Sequence, residues 1–301
     1  ADEETLQKIE NTLKRAPLDT VPVYGCLGEL LDTDIASFFS GVGNTERPDV
    51  LASKLLEGRV GVMVEGTPFV LYVPYLFTDN FSSLDDYDNP PFYATFTRFL
   101  KYLSFVLSVF LPALYVAIGS FHEEMIPTKL LYIIVTSEEA TPFPLMLEAI
   151  IIHILYEIMR EAGLRLPKTI GHAVSIIGAI VIGEAMVSAG IIGEPMLVVV
   201  ALTAIASYVV YPLYESVAVL RIVFILLGGF FGIYGVSLGM AMLFVNICAV
   251  SPFGVPYSAP LSPLTKRSVG DTLFRQGWKK LLRRRVNIYR LEGSEVNGKG
   301  Q

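Results

Sequence analysis

Cysteine is nearly absent from this chain: Cys26 and Cys248 are the two in 301 residues. They stand far apart and Cys248 lies in an apolar run, so a disulfide framework is excluded and both read as packing residues. Histidine is as scarce, with His122, His153 and His172, and none has a second ligand at metal-binding spacing. His122-Glu123-Glu124 opens like a zinc-protease motif, but the second histidine would fall at 126, where Ile stands. No phosphate-binding P-loop and no C-x-x-C occurs. These absences leave no catalytic constellation, no metal site and no cofactor. Charge is also thin, at 17% of residues against ~25% in soluble domains.

What the chain has instead is apolar length. It is 52% hydrophobic, with a mean hydropathy of +0.54. Between Phe99 and Val250, Leu100–Ile118, Ala173–Ile192, Met196–Leu213 and Ile222–Val250 each approach or exceed the ~20 apolar residues that span a bilayer. The expected fold is a mainly α membrane protein: a polytopic helical bundle of 4–6 membrane segments behind a small N-terminal α/β soluble domain. The expected boundaries are 1–98 for the soluble domain, 99–264 for the membrane domain and 265–301 for a basic tail.

In the first part, Glu3–Arg15 has helical periodicity and Val21–Tyr24 reads as a short strand. Glu29–Phe39 reads as a helix. Pro48 suits the first position of a helix over Pro48–Leu56, which Gly58 ends. Arg59–Val64 and Phe69–Val73 read as a hairpin, and Asp79–Pro91 as an acidic loop. Ala1–Thr20 has no apolar stretch of the signal-peptide kind, so the soluble N-terminal region is expected to stay on the cytoplasmic side.

The membrane part carries few ionisable groups, and each needs a reason. Pro112 falls inside the first run, where it removes a backbone bond that a neighbouring group must replace. The segment Phe143–Gly163 holds His153, Glu157, Arg160 and Glu161 on one broad face. Two readings stand: an amphipathic helix in the interface, or a spanning helix whose polar face lines a water-filled path. Arg160 is placed to pair with Glu157 at i, i+3. Glu184 either reaches interface water from a helix end or joins His153 and Glu157 along a cation path. Arg221–Val250 is long for one span, and Gly235 is expected to divide it. Gly228-xxx-Gly232 and Gly235-xxx-Gly239 fit close helix packing.

Charge is asymmetric. Residues 1–98 carry −9, 99–264 carry −4 and 265–301 carry +7. The cluster Lys279-Lys280-Leu281-Leu282-Arg283-Arg284-Arg285 puts the C-terminus in the cytoplasm by the positive-inside rule. It reads as an anchor on anionic lipid rather than a nucleic-acid patch.

Several ordered runs resemble one family. They are Asn44-Thr45-Glu46-Arg47-Pro48-Asp49, Leu55-Leu56-Glu57-Gly58-Arg59-Val60, Gly66-Thr67-Pro68-Phe69 and Leu111-Pro112-Ala113-Leu114-Tyr115-Val116-Ala117. Phe121-His122-Glu123-Glu124-Met125-Ile126-Pro127 follows, with Glu123 where many relatives have Gln. Then come Pro142-Phe143-Pro144, Arg160–Pro167, Gly171–Gly178 (His172 where relatives often have Gln) and Phe253-Gly254-Val255-Pro256-Tyr257. Over residues 44 to 290 the chain resembles the GerA family, as an A-type subunit of spore germination receptors or its sporulation relative SpoVAF. Members carry a larger soluble N-terminal region, so a truncated N-terminal domain is expected. The resemblance implies a multi-pass protein of the endospore inner membrane, acting with B- and C-type subunits to turn a nutrient signal into ion release. It also implies a homo-oligomer around a conduction path. The competing classes are a secondary transporter with Glu184 or Glu157 as coupling carboxylate, and a non-conducting scaffold. Glu46, Arg47 and Asp49 read either as a helix start or as a contact to a neighbouring subunit.

Overall fold

A computed structural model describes residues 3–15, 24–32, 37–167, 182–262, 272–275 and 277. The described residues are mainly helical and form two compact units: residues 1–100 with 243–301, and residues 101–242.

In the first unit, α1 (Glu3–Arg15) buries Ile9 and α2 (Tyr24–Leu31) buries Leu27 and Leu31, one helical turn apart. The expected helix over Glu29–Phe39 is thus shifted: it starts at Tyr24 and ends at Leu31. Around Phe39 the chain is non-helical, and the Ser37 hydroxyl accepts a bond from the Phe39 N–H at 3.0 Å, a local pairing that competes with the helix. Tyr24 is helical rather than extended, and residues 21–23 lie outside the described ones. β1 (Gly43–Thr45), β2 (Val60–Met63) and β3 (Val70–Val73) make an antiparallel sheet in the order β1-β3-β2. The β2–β3 hairpin is the expected one, with Val60 opposite Val73 and Gly66 at φ 88° in its turn. β1 is an addition that the sequence did not advertise. Between them lies α3 (Pro48–Leu56), with Pro48 at its first position and Gly58, at φ 91°, past its end.

Ile9, Leu27, Leu31, Val60, Leu71, Val73 and Phe253 form one apolar core. Phe253 comes from the far end of the chain, and it is not alone. The Tyr257 carbonyl accepts from the Phe77 N–H, and the Ala259 carbonyl accepts from the Thr78 hydroxyl. The acidic stretch expected as a loop contains two short 3-10 turns, Phe77–Asn80 and Leu84–Tyr87. Asp79 and Asp86 cap them by accepting from the Leu76 and Ser83 N–H groups.

α4 (Pro91–Phe121) begins earlier than the apolar run, because Pro91 supplies a helical φ ahead of it. The buried Arg98 near its start pairs with Asp86 at 3.1 Å. In the second unit follow α5 (Thr128–Glu139), which the sequence reading missed, α6 (Leu145–Arg165), α7 (Glu194–Val209) and α8 (Tyr214–Ala249). Residues 182–188 are also helical, and residues 173–181 of the Ala173–Ile192 run lie outside the described residues. Among the described residues two helical stretches are long and apolar enough to cross a membrane, Pro91–Phe121 and Tyr211–Ala249. Glu194–Val209 is apolar but shorter.

α8 is not one rod. Gly232 breaks it at φ 61°, ψ −149°, a region open essentially to glycine alone. The break falls at Gly232, not at the expected Gly235. Beyond it the chain doubles back: a Cβ added at Gly239 would lie 2.7 Å from Leu227 Cδ1 and 2.9 Å from the Phe224 ring. Along a straight helix those positions would be ~18–22 Å apart. α8 is therefore a hairpin of two arms, residues 214–231 and 233–249, each ~26 Å long. Gly228, Gly235 and Gly239 let the arms meet, which is the close packing their spacing predicts.

The helix directions follow from contacts within this unit. Arg221 meets Ser108, Phe224 meets Phe110 and Gly228 meets Ala113, so α4 and the first arm run parallel. Leu145 lies against Gly119 and Met146 against Gly229, while Glu157 meets Tyr214 and Arg221. α6 therefore runs antiparallel to both, over ~31 Å. α7 starts beside Glu148 and ends five residues before Tyr214, alongside α6 in the same direction. Val116, Ala149, Ile152, Met196, Val200 and Ile225 knit the four together.

Candidate functional site

Proline at position 112 has no N–H to give the carbonyl four residues back, which is that of Ser108. In the structure the Arg221 Nε donates to this carbonyl at 3.0 Å. The donor that the sequence reading required at Pro112 is thus a buried arginine on the first arm of α8, 1% exposed. The other face of the same guanidinium meets Glu157, with Nη1 3.5 Å from the carboxylate.

Glu157 is the centre of this network. The Tyr214 hydroxyl donates to its carboxylate at 2.8–2.9 Å. Arg160 stands 3.8 Å away as the expected i, i+3 partner, with its guanidinium stacked 3.1 Å from the Tyr214 ring centroid. His153, one turn before Glu157, is 1% exposed, and neither ring nitrogen has a partner among the described residues. The structure thus brings His153, Glu157 and Arg160 together on α6 and adds Tyr214, Arg221 and the Ser108 carbonyl. Two guanidiniums share one carboxylate, whose side chain is 30% exposed.

Glu184 is not part of this cluster. It is exposed on the helical residues 182–188 and makes no hydrogen bond or ion pair with a described residue. Gly183 beside it packs against Leu197, one turn into α7. That puts Glu184 near the end of the bundle where α7 begins. A different carboxylate holds that end together: the buried Glu148 accepts from the Gly193 N–H at the start of α7. This charge-assisted helix cap went unread in the sequence. One motif passed unnoticed there too. Gly235-Val236-Ser237-Leu238-Gly239 has G-x-S-x-G spacing, but it is helical throughout, and the Ser237 hydroxyl donates to the Tyr234 carbonyl at 2.8 Å. A nucleophile elbow needs a strand-to-helix turn, so this is a packing sequence.

In the first unit, Arg47 precedes α3 and bonds Asp49 at 2.7 Å and Asp85 at 2.9 Å. All three are about half exposed, and Glu46 is exposed beside them. A second network is buried. Asp79 takes both Arg59 nitrogens, at 2.6 and 3.0 Å, and Lys54 at 2.8 Å. Burial alone would raise the Asp79 pKa, but Arg59 and Lys54 outweigh it and hold the carboxyl well below the usual range.

The family profile described as Bacillus/Clostridium GerA spore germination protein matches residues 1–287. The chain belongs to the GerA family. Its curated relatives include spore germination protein KA of Bacillus subtilis (strain 168), 44% identical over 92% of this chain and 51% of the relative. Spore germination protein GerLA of Bacillus cereus is 34% identical over 98% of this chain and 60% of the relative. Spore germination protein A1 of Bacillus subtilis (strain 168) is 33% identical over 91% and 58%. The chain thus spans between half and three-fifths of the length of these GerA relatives. No solved structure matches it. The Pro112, His122 and Arg160–Pro167 runs of the family pattern fall, respectively, at the stretch of α4 beside Arg221, at the hairpin turn of α8 and at the end of α6.

Proposed function

We propose that the chain is an A-type membrane subunit of a spore germination receptor in the endospore inner membrane. It has no catalytic role, and it couples nutrient sensing to ion release as one copy of a conducting homo-oligomer. B- and C-type subunits and membrane lipid are its partners. The observation that carries this reading is Glu184. A carboxylate on an exposed face of an apolar bundle, with no bond to any described residue, calls for water or another subunit at that face. In an oligomer with a central path, Glu184 would stand at the mouth and Glu157 deeper, where a ring of carboxylates favours cations. Glu184→Gln and Glu157→Gln in reconstituted receptor complexes are each expected to lower cation flux or cation preference severalfold while leaving assembly intact. Conductance traces decide it: unchanged flux and preference in both variants would remove these residues from the path. A scaffold reading draws on one observation, that a tyrosine hydroxyl and two guanidiniums already surround Glu157; absence of flux from the wild-type complex would favour it.

The same reading gives six crossings of the membrane: α4, α6, the Ala173–Ile192 run, α7 and the two arms of α8. α4 and the second arm run in opposite directions, which supports a common side for the segments flanking them. The basic cluster Lys279–Arg285 makes that side the cytoplasm. With Cys26 and Cys248 replaced by Ser, cysteines at Met63 and Tyr234, 72% and 73% exposed, are expected to react with an impermeant maleimide from opposite faces. Labelling of both from one face would refute this topology.

A further inference from the structure

We propose that Arg221 is a positioning residue whose place is set by Pro112. The proline frees the Ser108 carbonyl, the carbonyl holds the Arg221 Nε, and the guanidinium so fixed orients the Glu157 carboxylate. The inference rests on the ion-path reading for its functional consequence, but its structural part stands alone.

A guanidinium deep in an apolar bundle has two conflicting demands. Its charge seeks a carboxylate, and its five donors seek acceptors. An unbroken α4 would offer none, because every backbone carbonyl of an α-helix interior is already bonded. Pro112 creates one acceptor on the face that the first arm covers, and the arm runs parallel to α4, so Arg221 arrives level with it. The bond to Ser108 uses Nε, the nitrogen nearest the chain, and leaves the distal Nη1 toward Glu157 at 3.5 Å. Arg221 is 1% exposed, and its Nη2 has no partner among the described residues. Its orientation is therefore held from one end by the carbonyl and from the other by the carboxylate. Arg160 meets Glu157 from the next turn of α6, and Tyr214 meets it from the start of α8. The carbonyl that Pro112 frees and the site are therefore linked through the Arg221 side chain.

Pro112→Ala tests the link, because it returns the missing N–H to the Ser108 carbonyl and makes the Arg221 Nε bond redundant. The cycle combines it with Arg221→Gln in the full chain within its receptor complex. If the link exists, Arg221→Gln orphans the carbonyl in the proline background and not in the alanine one. Pro112→Ala should then raise the melting temperature more in Arg221→Gln than in the wild-type background. Equal shifts in both backgrounds would overturn the proposal. A merely structural role would move the melting temperature alone, so the second readout is cation-over-anion permeability. Pro112→Ala should change that ratio although it lies off the path, and should have no further effect once Arg221 is Gln. A permeability change by Pro112→Ala of the same size in both backgrounds also counts against it. If Glu157→Gln leaves flux untouched while the thermal coupling holds, the ion-path reading fails and the link survives; the reverse pattern sinks the link alone.

Discussion

Asp79→Ala is expected to destabilise the protein by about 3–5 kcal/mol, because it strands buried charge. Arg59 is 2% exposed and keeps one other acceptor inside, the Pro74 carbonyl at 2.8 Å, besides Glu57 at the rim. The Asp79 carboxylate also caps a turn through the Leu76 N–H at 2.9 Å, so the loss reaches the backbone. Chemical unfolding of the detergent-solubilised chain measures it; a loss under ~1 kcal/mol would put this network in the class of surface pairs. The pH dependence has a definite sign. The folded-state pKa of Asp79 is depressed, so its contribution is complete above the unfolded value, ~3.9, and is lost as pH falls through the lower folded value. The stability gap between wild type and Asp79→Asn should therefore be constant near neutrality and narrow below pH ~4.

Gly232→Ala combined with Gly235→Leu is expected to abolish the α8 hairpin. Alanine at φ 61°, ψ −149° carries roughly 1–3 kcal/mol of backbone strain. A leucine at 235 would drive its side chain into the Leu227 carbonyl and the Phe231 Cβ. Neither backbone can yield without parting the arms, and overpacking of this kind costs about 1–3 kcal/mol or more. The relaxed alternative is a continuous 36-residue helix, ~54 Å long, against a hydrocarbon core of ~30 Å. A cysteine at Leu273 should then switch its accessible face or the protein should fail to assemble. Wild-type labelling and yield from the double variant would show that the hairpin does not depend on these glycines.

The parts of the fold that the sequence disclosed are those with local causes. Pro48 and Gly58 bracket α3 because each sets a backbone angle, and the hairpin follows from two β-rich runs around Gly66. Apolar length foretold α4 and α8. What stayed hidden depends on distant partners. In Gly43-Asn44-Thr45 two of the three residues disfavour a strand; the run is extended because the edge of β3 is there to pair with. α5 is short and lies between two stronger patterns. Gly232 and Gly235 are equal as glycines, and only the packing against Phe121 and His122 singles out the first as the turn. Within the site, His153, Glu157 and Arg160 were readable as one helical face. Arg221 was not singled out, although a signal existed: Pro112 demands a donor, and a lone arginine at the edge of an apolar run is one. Glu148 was visible as a polar residue, but its helix-capping partner is 45 positions away.

The interleaving of Phe253 and Tyr257 with the first hundred residues has a consequence in time. A ribosome delivers about 5–20 residues per second, so the sheet emerges on the order of ten to thirty seconds before the side chains that complete its core. During that interval Val60, Leu71 and Val73 face an unfilled position, while the membrane hairpins are being inserted. Under the six-crossing topology proposed above, the first unit would close only after the last crossing has returned the chain to its side. Its closure would then report that insertion has ended with the right parity, and a chain that stops one crossing short would expose an incomplete core to proteases on the side where it was made.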